Sequence, residues 1–188
     1  MNRTMVSNRH VHAAGPREWT AEVAGEVLCA GDRVMHPAHG VGRVARIATE
    51  EVSGFSLEFV HIAFDEAQLI LRVPSNKVRS IGLRRIASQT LINTALAVLR
   101  GRAKVSRLVW MRRAQEYQAK INSGDPRIVA EVVRDLICNV TAGLQSSSER
   151  AIYETALERL ACEIAAVEGT DKAAAITRIN DQVASVAV

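Results

Sequence analysis

The side chains in this 188-residue chain best suited to metal or nucleophilic chemistry are five histidines and three cysteines. His36-Pro-Ala-His39 has the close spacing of a metal-binding pair. A structural metal wants four ligands, and no acidic or thiol side chain stands at a supporting interval. A turn whose histidines hydrogen-bond locally is the better reading. Cys138 and Cys162 fall beside apolar stripes and read as small core fillers. Cys29 has no base near it in sequence. No phosphate loop, dinucleotide fingerprint or Gly-x-Ser-x-Gly motif occurs. Glu149, Glu154, Glu158 and Glu163 read as one solvated helix face laced with Arg150 and Arg159. The expectation is a protein without catalytic residues, metal or cofactor.

Charge is the stronger signal. The net charge is +4, yet residues 100–120 hold seven basic side chains against Glu116 alone. Residues 121–188 reverse the sign, with ten acidic against six basic. Positive charge concentrated in 21 residues suits a polyanion, although a solvated helix face has the same composition. Within the window, Trp110, Ala114, Tyr117 and Ile121 share one helical face, which favours Trp110 as a core anchor. Its place near the helix start, among Arg107, Arg112 and Arg113, favours a nucleic-acid role. A large apolar plate ringed by guanidiniums can wedge into a base step while the cations hold phosphates. Both readings stand on pattern alone.

The elements that would carry these residues change type along the chain. Residues 1–28 mix small and polar types and read as a mostly disordered leader with a short helical piece at 17–28. Residues 30–80 read as five short strands: Asp32–His36, Val41–Ala48, Leu57–Phe64, Leu69–Val73 and Lys77–Ser80. Turn signals at Pro37–Gly40, Ser53-Gly54 and Asp65–Gln68 separate them. In Leu57–Phe64, alternation puts Phe59 and His61 on one face and Val60, Ile62 and Phe64 on the other. The expected fold class is α+β, with an N-terminal antiparallel barrel of the SH3 or Tudor kind followed by a compact helical bundle. From residue 88 the apolar period is helical. Five helices are expected, with Gly124 as a stop, Asp125-Pro126 as a start and Ser146-x-x-Glu149 as a capping box. The domain limits read 29–84 and 88–184. No apolar run reaches the roughly 20 residues of a membrane span, and the scattered cysteines fit a reduced cytoplasm.

Several of these motifs together resemble the CarD/CdnL family of bacterial transcription regulators. Gly31-Asp-Arg-Val-Met-His-Pro-Ala-His-Gly-Val-Gly42, Leu71-Arg-Val-Pro74 and Val78…Ile81-Gly-Leu-Arg84 resemble its opening domain. That domain is similar to the polymerase-interacting module of the transcription-repair coupling factor. Trp110-x-Arg-Arg113, Asn122-Ser-Gly-Asp125, Ala130-Glu-Val-Val-Arg-Asp-Leu136 and Ser148-Glu-Arg150 follow in the family's order. The resemblance covers about residues 29–182. It implies docking on the RNA polymerase β subunit around Arg72, with Glu50, Val52 and Phe55 at the accompanying positions. Glu50 departs from the pattern, since some relatives carry arginine there. It further implies that Trp110 wedges into promoter DNA at the upstream edge of the −10 bubble. Arg112 and Arg113 match the basic pair beside it, with Arg107 and Lys104 nearby. The implied factor acts as a monomer, stabilises the open complex and catalyses nothing. An adaptor that binds polymerase without touching DNA, and a DNA binder that acts without polymerase, are the competing readings.

Overall fold

The computed structural model describes residues 20–23, 26–65, 68–104, 109–141 and 146–184. Two strands, β1 (Thr20–Val23) and β2 (Glu26–Cys29), pair as a separate antiparallel hairpin. The sequence-based helix at 17–28 is therefore corrected to strand over these residues; 1–19 lie outside the described chain. Val23 and Val27 are β-branched residues, a type with lowered helix and raised strand propensity. Leu28 is the anchor, buried in the apolar cluster of the main sheet.

That sheet comprises β3 (Arg33–His36), β4 (Gly40–Val52), β5 (Phe55–Phe64), β6 (Leu69–Pro74) and β7 (Arg84–Arg85). Its order is β6-β5-β4-β3-β7, with every pair antiparallel. Among the described residues the outer strands do not meet, so the sheet is open and the expected barrel is corrected. Closure fails because the last expected strand, Lys77–Ser80, does not form. Pro74 has no N–H to continue a ladder, and Ser75–Lys77 winds into a 3-10 turn instead. Only the two-residue β7 remains to pair at the far side.

Two sequence details shape the sheet. Val44 and Ile47 are both buried although they are three residues apart, an interval that puts strand residues on opposite faces. The register slips between Val44 and Arg46, so Ala45 is an extra residue and the bulge returns Ile47 to the core. Gly42 is required by close packing. A Cβ there would lie 2.7 Å from the Phe64 ring and 2.9 Å from the Ala63 carbonyl. The alternation in β5 holds: Val60, Ile62 and Phe64 fill the core with Val34, Val44 and Ile47.

Five helices follow: α1 (Gln89–Leu99), α2 (Trp110–Asn122), α3 (Pro126–Thr141), α4 (Ser147–Glu168) and α5 (Lys172–Ala184). Their stripes enclose a second core around Ile92, Leu99, Leu136, Leu160, Ile164 and Ile179. Each such side chain contributes about 1.5–3 kcal/mol on burial, so packing rather than propensity holds the bundle. The expected cap at Ser146 forms, its Oγ accepting from Glu149 N at 3.3 Å, and Asp171 Oδ1 caps α5 by accepting from Ala174 N at 2.7 Å.

Asp125 caps α3 by accepting from Arg127 N at 2.9 Å. The Arg127 guanidinium holds its carboxyl below the ordinary value, outweighing the opposing effect of partial burial. A carboxylate held down in the fold stabilises at pH above its unfolded value, and that contribution is lost as pH falls through the folded value. Asp125→Ala should therefore cost about 1 kcal/mol at neutral pH. The difference from wild type should shrink at acid pH, below that lowered folded value, where both proteins lack the charged cap. Urea denaturation at both pH values checks this; an equal difference at both would remove the carboxylate from the argument.

The sheet and the bundle touch along a polar seam. Arg84 of β7 donates to both carboxylate oxygens of Glu163 on α4, at 2.6 and 2.9 Å, and to the Gly124 carbonyl. Arg159 of α4 donates to the carbonyls of His36 and Ala38 in the β3–β4 turn, and Arg33 of β3 to that of Ala166. Glu163 and Glu149 are buried, so the expected solvated glutamate face of α4 is corrected for these two. Glu154 and Glu158 do lie on the outside.

Candidate nucleic-acid interface and docking edge

The candidate residues gather at two places. The first is the outer face of β4, β5 and β6, turned away from the sheet core. Register brings Arg46, His61 and Arg72 side by side across the three strands. Glu50 joins them: its carboxylate accepts from Arg72 Nη1 at 2.7 Å, lies 3.0 Å from His61 Nε2 and 3.7 Å from Arg46. The Arg72 guanidinium also lies 4.6 Å above the Phe59 ring. Phe59 and His61 are thereby buried although they face away from the core. Glu50 thus neutralises and aims the arginine that the sequence singled out.

Beside this cluster β6 is a sheet edge, with Ile70 67% exposed and Leu69 also exposed. Exposed apolar residues on an unpaired edge are uncommon, because such edges recruit other strands. The β4–β5 hairpin runs on past β6 to a tight turn where Ser53 and Gly54 both have positive φ. Val52 and Phe55 flank that turn, and Phe55 is 71% exposed. Arg72, Glu50, Val52 and Phe55 therefore share one end of the molecule. Alternation alone could have marked Ile70, which lies on the face of β6 opposite Leu71.

The second place is the start of α2. Trp110 is its first residue and is half-buried against the bundle core, between the two positions that its pattern left open. Its indole Nε1 donates to Ser148 Oγ on α4 at 3.0 Å. The Arg113 guanidinium stands 5.3 Å over the ring, which makes this arginine a cover for the tryptophan. Val109 and Met111 project into solvent on either side, Met111 at 74% exposure. Arg112 is exposed as well. Val109 supplies no side-chain cap, and the Arg112 and Arg113 amides turn back to its carbonyl at 3.1 and 3.2 Å.

The basic window divides on folding. Arg100 donates to Gln182 at 2.6 Å, and Lys120 pairs with Glu131 at 2.7 Å. Lys104 is exposed, and its backbone amide donates to Asp135 Oδ1 at 2.9 Å. Asp135 in turn pairs with the buried Arg134. Arg107 lies outside the described residues. Of the window's described cations, Arg100, Arg102, Lys104 and Arg112 are exposed, Arg100 with its guanidinium bonded to Gln182.

Sequence reasoning missed Ser148, since a bond across 38 positions leaves no local signal. Removing its hydroxyl should cost about 1 kcal/mol and free the indole. In a Trp19→Phe background, Ser148→Ala should shift Trp110 emission to the red, while Ser148→Thr should not. An unchanged spectrum in the alanine variant would mean that packing alone holds the ring.

The histidine pair forms the local turn its sequence suggested. His36 Nδ1 accepts from the amides of Ala38 and His39 at 3.0 and 3.2 Å. Burial holds its pKa below the ordinary value, helped by His39 and Arg159. Cys29 and Cys162 are half-buried. Among the described residues no group of three metal-ligating side chains forms, and no helix is long and apolar enough to cross a membrane.

Two family models divide the chain between them. Residues 28–87 match the CarD-like/TRCF RID domain and residues 94–180 the CarD C-terminal domain. YdeB of Bacillus subtilis (strain 168), named as a candidate transcription factor, is 24% identical over 139 residues, 74% of this chain and 91% of that protein. The 72-residue N-terminal domain of Myxococcus xanthus CarD, solved by NMR in solution, is 43% identical. That match covers 31% of this chain and 77% of that one, with a TM-score of 0.27. With both halves accounted for in order, the chain belongs to the CarD/CdnL family of transcription regulators.

Proposed function

We propose that this protein regulates transcription initiation by docking on the RNA polymerase β subunit through residues 29–84 and contacting promoter DNA through residues 88–184. The carrying observation is the start of α2, where Trp110 and the exposed Met111 and Arg112 stand together at an uncapped helix end. An apolar plate beside a cation fits a distorted minor groove, where phosphates and unstacked bases lie close together. The edge strand β6 supplies backbone groups for an added strand of polymerase. Ile70, Arg72 and the Val52–Phe55 tip would give that contact its selectivity. The acidic excess of residues 121–188 offsets the basic window, so affinity for free DNA is low, and polymerase docking supplies the local concentration.

The mechanism is a differential in binding. A wedge that holds opened or distorted DNA better than closed duplex shifts the equilibrium by that difference. About 1.4 kcal/mol gives a tenfold change in the ratio of open to closed complexes. The test is the lifetime of the open complex near the −10 element, with cognate polymerase, with and without the protein. Lengthening supports the reading; an unchanged lifetime would sink it.

The adaptor reading keeps one observation in its favour, because Arg113 is turned onto Trp110 and not into solvent. It predicts polymerase binding without protection of DNA upstream of the bubble.

A further inference from the structure

A carboxylate with 1% exposure on a helix that is otherwise part of an apolar bundle is costly unless it is paired. The partners of Glu163 lie at the junction with the sheet. Its Oε1 and Oε2 accept from Arg84 of β7, and Oε1 also accepts from the amide of Ala87 in the connection to α1, at 2.8 Å. Arg84 then reaches on to the Gly124 carbonyl at the turn between α2 and α3. One buried group therefore ties together the last strand, the interdomain segment and the turn that ends the tryptophan-bearing helix.

Further ties cross the seam beyond this ion pair, although open clefts of about 290 and 360 Å³ flank it near Ala87 and near Arg33. Arg159 and Arg33 cross it in opposite directions, each satisfying backbone carbonyls of the other half. Between Met35 and Pro37 on one side and Ile121, Pro126 and Leu160 on the other, the residual cavity is about 10 Å³. That is room for one water at most. The connection between the halves is short and is pinned at Ala87.

We infer that Glu163 is a positioning residue: it locks the sheet to the bundle, so that polymerase docking at β6 delivers Trp110 to one place on DNA. This rests on the docking-and-wedge reading above. A rigid connection makes the second contact nearly intramolecular in the correct pose, whereas a loose one spreads the wedge over many poses. The docking residues of β6 take no part in the lock. Its removal should therefore separate binding from effect.

The experiment uses the full chain with distance probes introduced as non-cysteine labels at Thr49 and Gln115, both exposed. Wild type should give a narrow interdomain distance distribution. Glu163→Ala should broaden it and keep polymerase affinity within about twofold, while the lifetime extension falls about tenfold. Glu163→Ala leaves Arg84 without its counter-charge and can lower stability. The double variant Arg33→Ala/Arg159→Ala therefore tests the same seam without leaving a buried charge. Broadened distances with the full lifetime extension retained would overturn the inference and leave the docking-and-wedge reading standing. Distances that stay narrow in both variants would overturn it as well. A wild-type protein that does not lengthen the lifetime would bring down the parent reading and this one together.

Discussion

Replacing Trp110 with alanine is expected to abolish the lengthening of open-complex lifetime while leaving polymerase binding intact. The ring is the largest apolar surface at the start of α2, and its neighbours are exposed. The main concern with such a variant is collapse of the bundle. Truncating a fully buried tryptophan costs about 3–5 kcal/mol. Trp110 is half-buried and begins its helix, so the cost should be nearer 1–2 kcal/mol, which a bundle with this core survives. Thermal melting followed by circular dichroism separates the outcomes. A folded variant with wild-type lifetimes would make the tryptophan a bystander and favour the adaptor. Arg112→Ala should show a milder loss, because one phosphate contact is worth less than a wedge and fades as salt rises.

The second large effect is expected from Ile70→Glu, which should weaken polymerase binding by at least about thirtyfold, equivalent to roughly 2 kcal/mol at a central apolar contact. Ile70 is exposed and lies on an edge, so the change leaves the sheet's own packing alone. Arg72→Glu is a less clean probe. It would set two carboxylates together at Glu50 and strip the cover from Phe59, so lost binding would be mixed with lost stability. Pull-down or interferometry with cognate polymerase decides the matter. Wild-type affinity in a folded Ile70→Glu protein would move the docking surface away from β6 and toward the Val52–Phe55 tip.

Glu50 illustrates how far a local reading reaches. As a departure from the arginine of some relatives it looks like a lost contact. In the fold it lies at the centre of Arg72, Arg46 and His61 and sets the direction of the first of these. Three strands must be in register before that function exists, and no neighbour in sequence announces it. The +6 window is a second case. Charge counting treats its seven cations alike, yet folding commits Arg100 and Lys120 to side-chain partners and Arg113 to an indole.

What the sequence determined by itself is whatever depends on neighbours within one or two turns. The alternation of β5, the hairpin turn at Ser53-Gly54 and the caps at Asp125 and Ser146 are of this kind. So are the apolar stripes of the helices. Period and capping act through the backbone's own geometry, so they survive without knowledge of what lies opposite. Tertiary structure decided the rest. It left the sheet open because Pro74 could not continue a ladder and β7 is two residues long. It restored Ile47 to the core through a bulge, and it gave Trp110 a partner 38 positions away. Above all it turned Glu163, one of four glutamates at helical spacing, inward onto Arg84. A charge is buried only where a specific counter-charge and amide await it, and spacing along one helix carries no record of either.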